Sequence, residues 1–96
     1  MAKYVLLVNW TEKGVAEAKS TTDRANKVRT LVEDLGGKED LLLWTLGRYD
    51  IVGVFDFKDD ETAALAGLKI SALGTVRTET LRAFTASEIS GIVGKL

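Results

Sequence analysis

Thr45-Leu46-Gly47-Arg48-Tyr49-Asp50-Ile51-Val52-Gly53 places a polar group, Gly47-Arg48-Tyr49-Asp50, between two apolar runs. Its reading decides the fold. Leu41 to Leu46 and Asp50 to Phe57 are each strand-like, and the polar group joins them at hairpin distance. Gly47 supplies the residue that permits a positive φ in the turn. The middle of the chain is therefore predicted to be an antiparallel pair.

Working outward from that pair gives the rest of the order. Lys3 to Trp10 reads as a strand that is apolar on both alternating faces. Thr11-Glu12-Lys13-Gly14 looks like a helix start. A second start at Thr22 leads into Ala25, Val28, Leu31, Val32 and Leu35 at helical spacing, stopped by Gly36-Gly37. Beyond the pair, Asp59 or Asp60 caps a helix through Leu73 whose Ala63-Ala64-Leu65-Ala66-Gly67-Leu68 stretch is small enough to lie close to a sheet. Thr75 to Phe84 is a fourth strand. Thr85-Ala86-Ser87-Glu88 is a capping box, and Ile89, Ile92, Val93 and Leu96 form the apolar stripe of a last short helix.

This order predicts an α+β, ferredoxin-like βαββαβ domain over residues 1–96, with strand order 4-1-3-2, helices on one face and an extra C-terminal helix. The topology brings the end of strand one, the central hairpin and the start of strand four to one rim. Asn9, Trp10, Arg48, Tyr49, Asp50, Arg77 and Glu79 are the candidate ligand-binding residues there. An arginine would clamp a carboxylate, the aromatic rings would stack on a planar group, and Asp50 or Glu79 would set polarity. The alternative for the same rim is a salt-bridged border that fixes the hairpin.

Parity adds an inference about assembly. Ile51, Phe55 and Phe57 alternate with Asp50, Val52, Val54 and Asp56, so the aspartates mark the face that the helices leave uncovered, and Arg77 and Glu79 would share it. Strand one leaves two registers open: if Val5 and Leu7 turn to the helices, Tyr4, Leu6, Val8 and Trp10 lie uncovered. Either register leaves bulky apolar groups on the open face. Such a patch predicts a homodimer or a higher even-numbered oligomer.

Composition removes other classes. With 96 residues and 46% hydrophobic composition the chain suits one folded domain. It has no cysteine and no histidine, which excludes disulfides, thiolate nucleophiles and histidine-dependent triads, and removes the commonest zinc, copper and haem ligands. No cofactor and no metal site is expected, since Asp59-Asp60-Glu61, the one acidic cluster, reads as a helix cap. A formal charge of −1 gives no reason to expect nucleic acid. The strand order is shared with RNA-recognition motifs, but Val52 and Val54 stand where that motif stacks aromatic rings on bases. The amino-terminal apolar run is too short for a signal or membrane helix, so a cytoplasmic protein is expected.

Gly47, Tyr49 and Asp50 carry a resemblance, together with Tyr4 to Thr11, Leu35-Gly36-Gly37, Asp59-Asp60-Glu61 and the long block Gly74 to Thr85. The chain resembles the GYD-domain family, small bacterial and archaeal proteins named for the Gly-x-Tyr-Asp segment. The resemblance implies a fold similar to the dimeric α+β barrel proteins and implies no established activity. Three functions fit: a small-ligand binding or sensing module, a structural homo-oligomer building block, and a cofactor-free oxygenase or isomerase. The last would need Asp50, Glu79 or Tyr49 for acid–base work.

Overall fold

The computed structural model describes all residues from Met1 to Leu96. Four antiparallel strands, β1 (Ala2–Trp10), β2 (Lys38–Trp44), β3 (Ile51–Phe57) and β4 (Val76–Ala83), form one sheet in the order β2-β3-β1-β4. This is the predicted ferredoxin-like order read from the other edge. Between β1 and β2 lie a short helix α1 (Glu12–Ala16), a 3-10 turn and α2 (Thr21–Asp34). Helix α3 (Asp60–Ala72) links β3 to β4, and α4 (Ala86–Val93) follows β4.

Local chemistry accounts for the ends of these elements. Thr11 caps α1 by accepting from the Gly14 amide, and Asp59 caps α3 by accepting from the Thr62 amide at 2.8 Å. The Thr62 hydroxyl, which also donates to it, holds the Asp59 carboxyl below its ordinary range, with the amide bond adding to the effect. Gly36, at φ +79°, ends α2 in the left-handed conformation. The turn is so tight that β2 starts at Lys38, three residues before the leucine run. Its charged first residues pair through an irregularity in register between Glu39 and Leu41.

The open register of strand one is settled by the core. Tyr4, Leu6 and Val8 are buried beneath the helices with Ile51, Phe55 and Phe57, and Val5 and Leu7 take the open face. Tyr4 faces inward despite its hydroxyl because the ring packs edge-on against Phe57, at 5.6 Å between centroids, and the hydroxyl donates to Asp60. Helix α3 presses on the sheet with Ala63, Ala66, Gly67 and Ile70. Helix α2 contributes Val32 fully and Val28, Leu31 and Leu35 partly, so the layer is looser at its amino-terminal half.

Two apolar surfaces remain without a covering layer in the chain. Across the open face, β-sheet register aligns Leu41, Val54, Val5 and Leu81 in one row and Leu43, Val52 and Leu7 in the next. Leu41, Leu43 and Leu81 are 42–50% exposed. Lys3 closes one end of this face by pairing with Asp56 at 2.9 Å and with Asp40. The second surface is α4: its capping box is complete, yet every residue from Phe84 to Leu96 is exposed. The molecule is flat and elongated, 49 × 30 × 17 Å.

Candidate functional site

The predicted rim exists, and the structure divides it between the two sides of the sheet. Asp50 belongs to the scaffold. Its carboxylate accepts from the Trp10 backbone amide at 2.9 Å, and its own amide donates to the Val8 carbonyl at 2.9 Å. The hairpin is thereby tied to the end of β1 rather than only to β2. Thr45 closes the loop from within, its amide donating to the Asp50 carbonyl and its hydroxyl to the Tyr49 carbonyl. Gly47 at the tip has φ +94°, a conformation that a side chain would strain.

Asn9, Tyr49, Arg77 and Glu79 gather on the open side. Asn9 is the register partner of Arg77, and Leu7 that of Glu79. The Tyr49 hydroxyl reaches across the sheet to donate to Glu79 at 3.3 Å. Arg48 lies over the Tyr49 ring, 5.6 Å from its centroid. The four ion pairs of the chain use Lys3, Arg29 and Lys38 as cations, so neither Arg48 nor Arg77 is neutralised by a carboxylate. The result is a cluster of polar groups at the border of the apolar rows, with Asn9, Arg48, Arg77 and Glu79 exposed. It can recognise a polar partner surface. It holds no buried carboxylate poised for proton transfer.

Trp10 turns the other way, under the helices. There it lines a cavity of about 50 Å³ between α2, the end of α3 and the sheet, together with Leu6, Val8, Leu42, Ile51, Phe55, Ile70 and Val76. Its indole Nε1 is buried and has no hydrogen-bond partner. Sequence reasoning places Trp10 at the correct end of the sheet. It gives no sign of the cavity, which depends on how far α2 stands from β3.

The acidic cluster is committed within the fold: Asp59 caps α3, and Asp60 accepts from Tyr4. No three acidic side chains converge in a way that could hold a metal ion.

The family model for the GYD domain matches residues 4–93. This chain belongs to the GYD-domain family. The match spans the sheet from Tyr4 onward and all of α4, so the rim and both apolar surfaces lie within the GYD domain itself. A curated relative from Thermus thermophilus, the glutamine synthetase and cystathionine beta-lyase binding protein, is 29% identical over 90 residues, covering 93% of this chain and 95% of the relative. A crystal structure of a protein from Thermus thermophilus superposes with a TM-score of 0.58 at 25% identity, covering 90% of this chain and 96% of that one. The same α+β architecture thus extends over nearly all of both molecules.

Proposed function

We propose that this GYD domain is a non-catalytic binding module that works as a homo-oligomer and takes other proteins as clients. One observation carries the reading: the face of the sheet opposite the helices carries two contiguous rows of valine and leucine with no covering layer, exposed at Leu41, Leu43 and Leu81 and half-buried at Val5, Leu7, Val52 and Val54. A patch of that extent is unusual on a monomer. A second copy covers it most simply, with the two sheets facing about a two-fold axis and the Arg77, Glu79 and Tyr49 cluster at the border of the contact.

A two-fold contact between sheets uses one of the two uncovered apolar surfaces. The stripe of Ile89, Ile92 and Val93 on α4 is then available to a client. The relative's name, which identifies it as binding two enzymes, supports a protein client as the class. The rim supports recognition better than catalysis: its exposed arginines and Glu79 suit polar contacts, and Asp50 is occupied in holding the hairpin.

The test has two parts. Native mass spectrometry should show an even-numbered oligomer that Val54→Asp converts to monomer while circular dichroism stays unchanged. Biolayer interferometry against purified glutamine synthetase and cystathionine beta-lyase from the same host should then show saturable binding to at least one, lost when Ile89 and Ile92 are both replaced by Ser. A wild-type monomer would end the assembly reading, and saturable binding to neither enzyme would end the client reading.

A further inference from the structure

The sheet has two free edges, and only one of them is guarded against a further strand. At β2 the edge carries Lys38, Glu39 and Asp40 and a break in register between Glu39 and Leu41, features that discourage added pairing. At β4 the register to β1 runs unbroken from Ala83 to Val76, and the strand holds no lysine and no proline. We infer that β4 pairs edge to edge with β4 of a second copy, about a two-fold axis through Thr78, and so joins two four-stranded sheets into one.

The backbone supplies the first argument. One step beyond the Trp10–Val76 pair, the Thr11 amide donates to the Thr75 carbonyl at 3.0 Å. Bonding alternates along an antiparallel ladder, so Arg77, Glu79 and Leu81 turn their amides and carbonyls to β1, whereas those of Val76, Thr78 and Thr80 point away from the sheet. No loop or side chain of the chain bonds to these outward groups. They are free to bond to an added strand.

Charge decides which strand and which register. Arg77 and Glu79 are exposed on the open side of β4, and neither belongs to an ion pair within the chain. With the axis at Thr78, each Arg77 lies directly opposite the partner's Glu79, and opposite charges in that position attract. An axis at Arg77 or at Glu79 would set like charges against each other, and one at Thr80 would set Glu79 against the partner's Leu81. In the Thr78 register, Thr78 exchanges backbone bonds with the partner's Thr78, and Val76 with the partner's Thr80. The arginine and glutamate then fall at the non-bonded positions, where facing side chains are closest. The helical layer admits the contact. Ala64, Gly67 and Ser71 of α3 line the groove beside β4, small side chains that leave room for the partner's helix, and Leu68, 71% exposed at the same groove, gains a cover.

A single edge contact is small and therefore weak. Two such contacts act together when two face-to-face dimers of the kind proposed above meet, and for its strength the edge pairing rests on that reading. Wild type is then a tetramer, and Val54→Asp, which removes the face contact, leaves a monomer.

Charge reversal tests the edge by native mass spectrometry. Arg77→Glu alone, or Glu79→Arg alone, should halve the mass of the oligomer, since each opposes like charges across the axis. Mixing the two variants should restore the mass, and so should the double variant Arg77→Glu/Glu79→Arg. An effect confined to one chain would not be restored by mixing. The chain has no cysteine, so Thr78→Cys adds a single thiol. Across the axis its Cα would lie about 5.5 Å from that of the partner, within disulfide reach, and mild oxidation should link the copies. Thr80→Cys, with its Cα more than about 13 Å from its counterpart, should not link. In an oligomeric wild type, a mass unchanged by the reversals, a mass not restored by mixing, or equal linking at positions 78 and 80 would overturn the edge contact. If the reversals leave a wild-type dimer intact and Val54→Asp dissociates it, the face contact stands and the edge contact falls. If wild type is a monomer, the face contact falls, and linking at Thr78→Cys but not at Thr80→Cys upholds the edge while its absence overturns it.

Discussion

Gly14→Ala is the substitution whose cost can be worked most directly from the geometry. Gly14 is buried in α1, and a methyl group there would lie 2.0 Å from the Thr75 carbonyl oxygen and 3.2 Å from Trp10 Cβ. Ordinary contact begins at about 3.4 Å, so α1 would have to retreat from β4 by more than an ångström. The retreat pulls on the Thr11 amide, which donates to that same Thr75 oxygen at 3.0 Å, and on the Thr11 hydroxyl, which donates to the Gly74 carbonyl at 2.7 Å. Overpacking costs about 1–3 kcal/mol. A lost hydrogen bond adds about 1 kcal/mol. The better helix propensity of alanine returns up to about 1 kcal/mol. The expected net loss is about 1–3 kcal/mol, a fall of roughly 5–20 °C in the melting midpoint of a domain this size. Gly91→Ala is the control, because the same change in α4 meets nothing within 4 Å. Urea and thermal unfolding at one fixed protein concentration, since assembly would couple to stability, should show Gly14→Ala destabilised and Gly91→Ala unchanged or up to about 1 kcal/mol more stable. Equal effects from the two substitutions would refute the close approach of α1 to β4.

The two halves of the rim should respond differently. Asp50→Ala should cost about 1.5–3 kcal/mol in urea unfolding, since it strips a charged acceptor from a part-buried amide. Tyr49→Phe should cost less than about 0.5 kcal/mol, because its bond to Glu79 is long and exposed. Burial, helped by the bond to Asp60, pushes the Tyr4 phenol from near 10 up to about 12. In a Tyr49→Phe variant, where Tyr4 is the sole tyrosine, absorbance at 295 nm should therefore rise near pH 12 in the folded protein. The folded state holds this proton more tightly than the unfolded state, so the stabilisation is complete below pH 10 and is lost as pH rises towards 12; a rise at pH 10 with the fold intact would contradict the burial. The Thr85 amide, donating to Glu88, lowers that carboxyl below its ordinary range. The capping box is therefore present at neutral pH and lost as pH falls through the depressed value, and Thr85→Ala should weaken α4 by about 1 kcal/mol without shifting the main melt.

Much of the scaffold is legible in local patterns. Alternation in Ile51 to Phe57 names the buried face of β3 because a strand's side chains have period two. The caps at Asp59 and Thr85 are legible because a capping side chain reaches only three residues along the chain. β1 is not legible in the same way: Tyr4, Leu6 and Val8 carry no more apolar character than Val5 and Leu7, and the choice between registers rests on packing against Phe55, Phe57 and α3. Asp50 shows the same limit at the rim. Its place follows from the hairpin, but its partner, the amide of Trp10, lies forty positions away.

By itself the sequence determined the strand and helix order, the helix ends and the lack of cysteine and histidine side chains, since each depends on residue type or short-range spacing. Tertiary structure decided which face of β1 is buried, that Trp10 turns under the helices while Arg77 and Glu79 stay outside, and that a cavity separates α2 from the sheet. Those outcomes are set by volumes and distances between elements far apart in the chain, and no local periodicity encodes them.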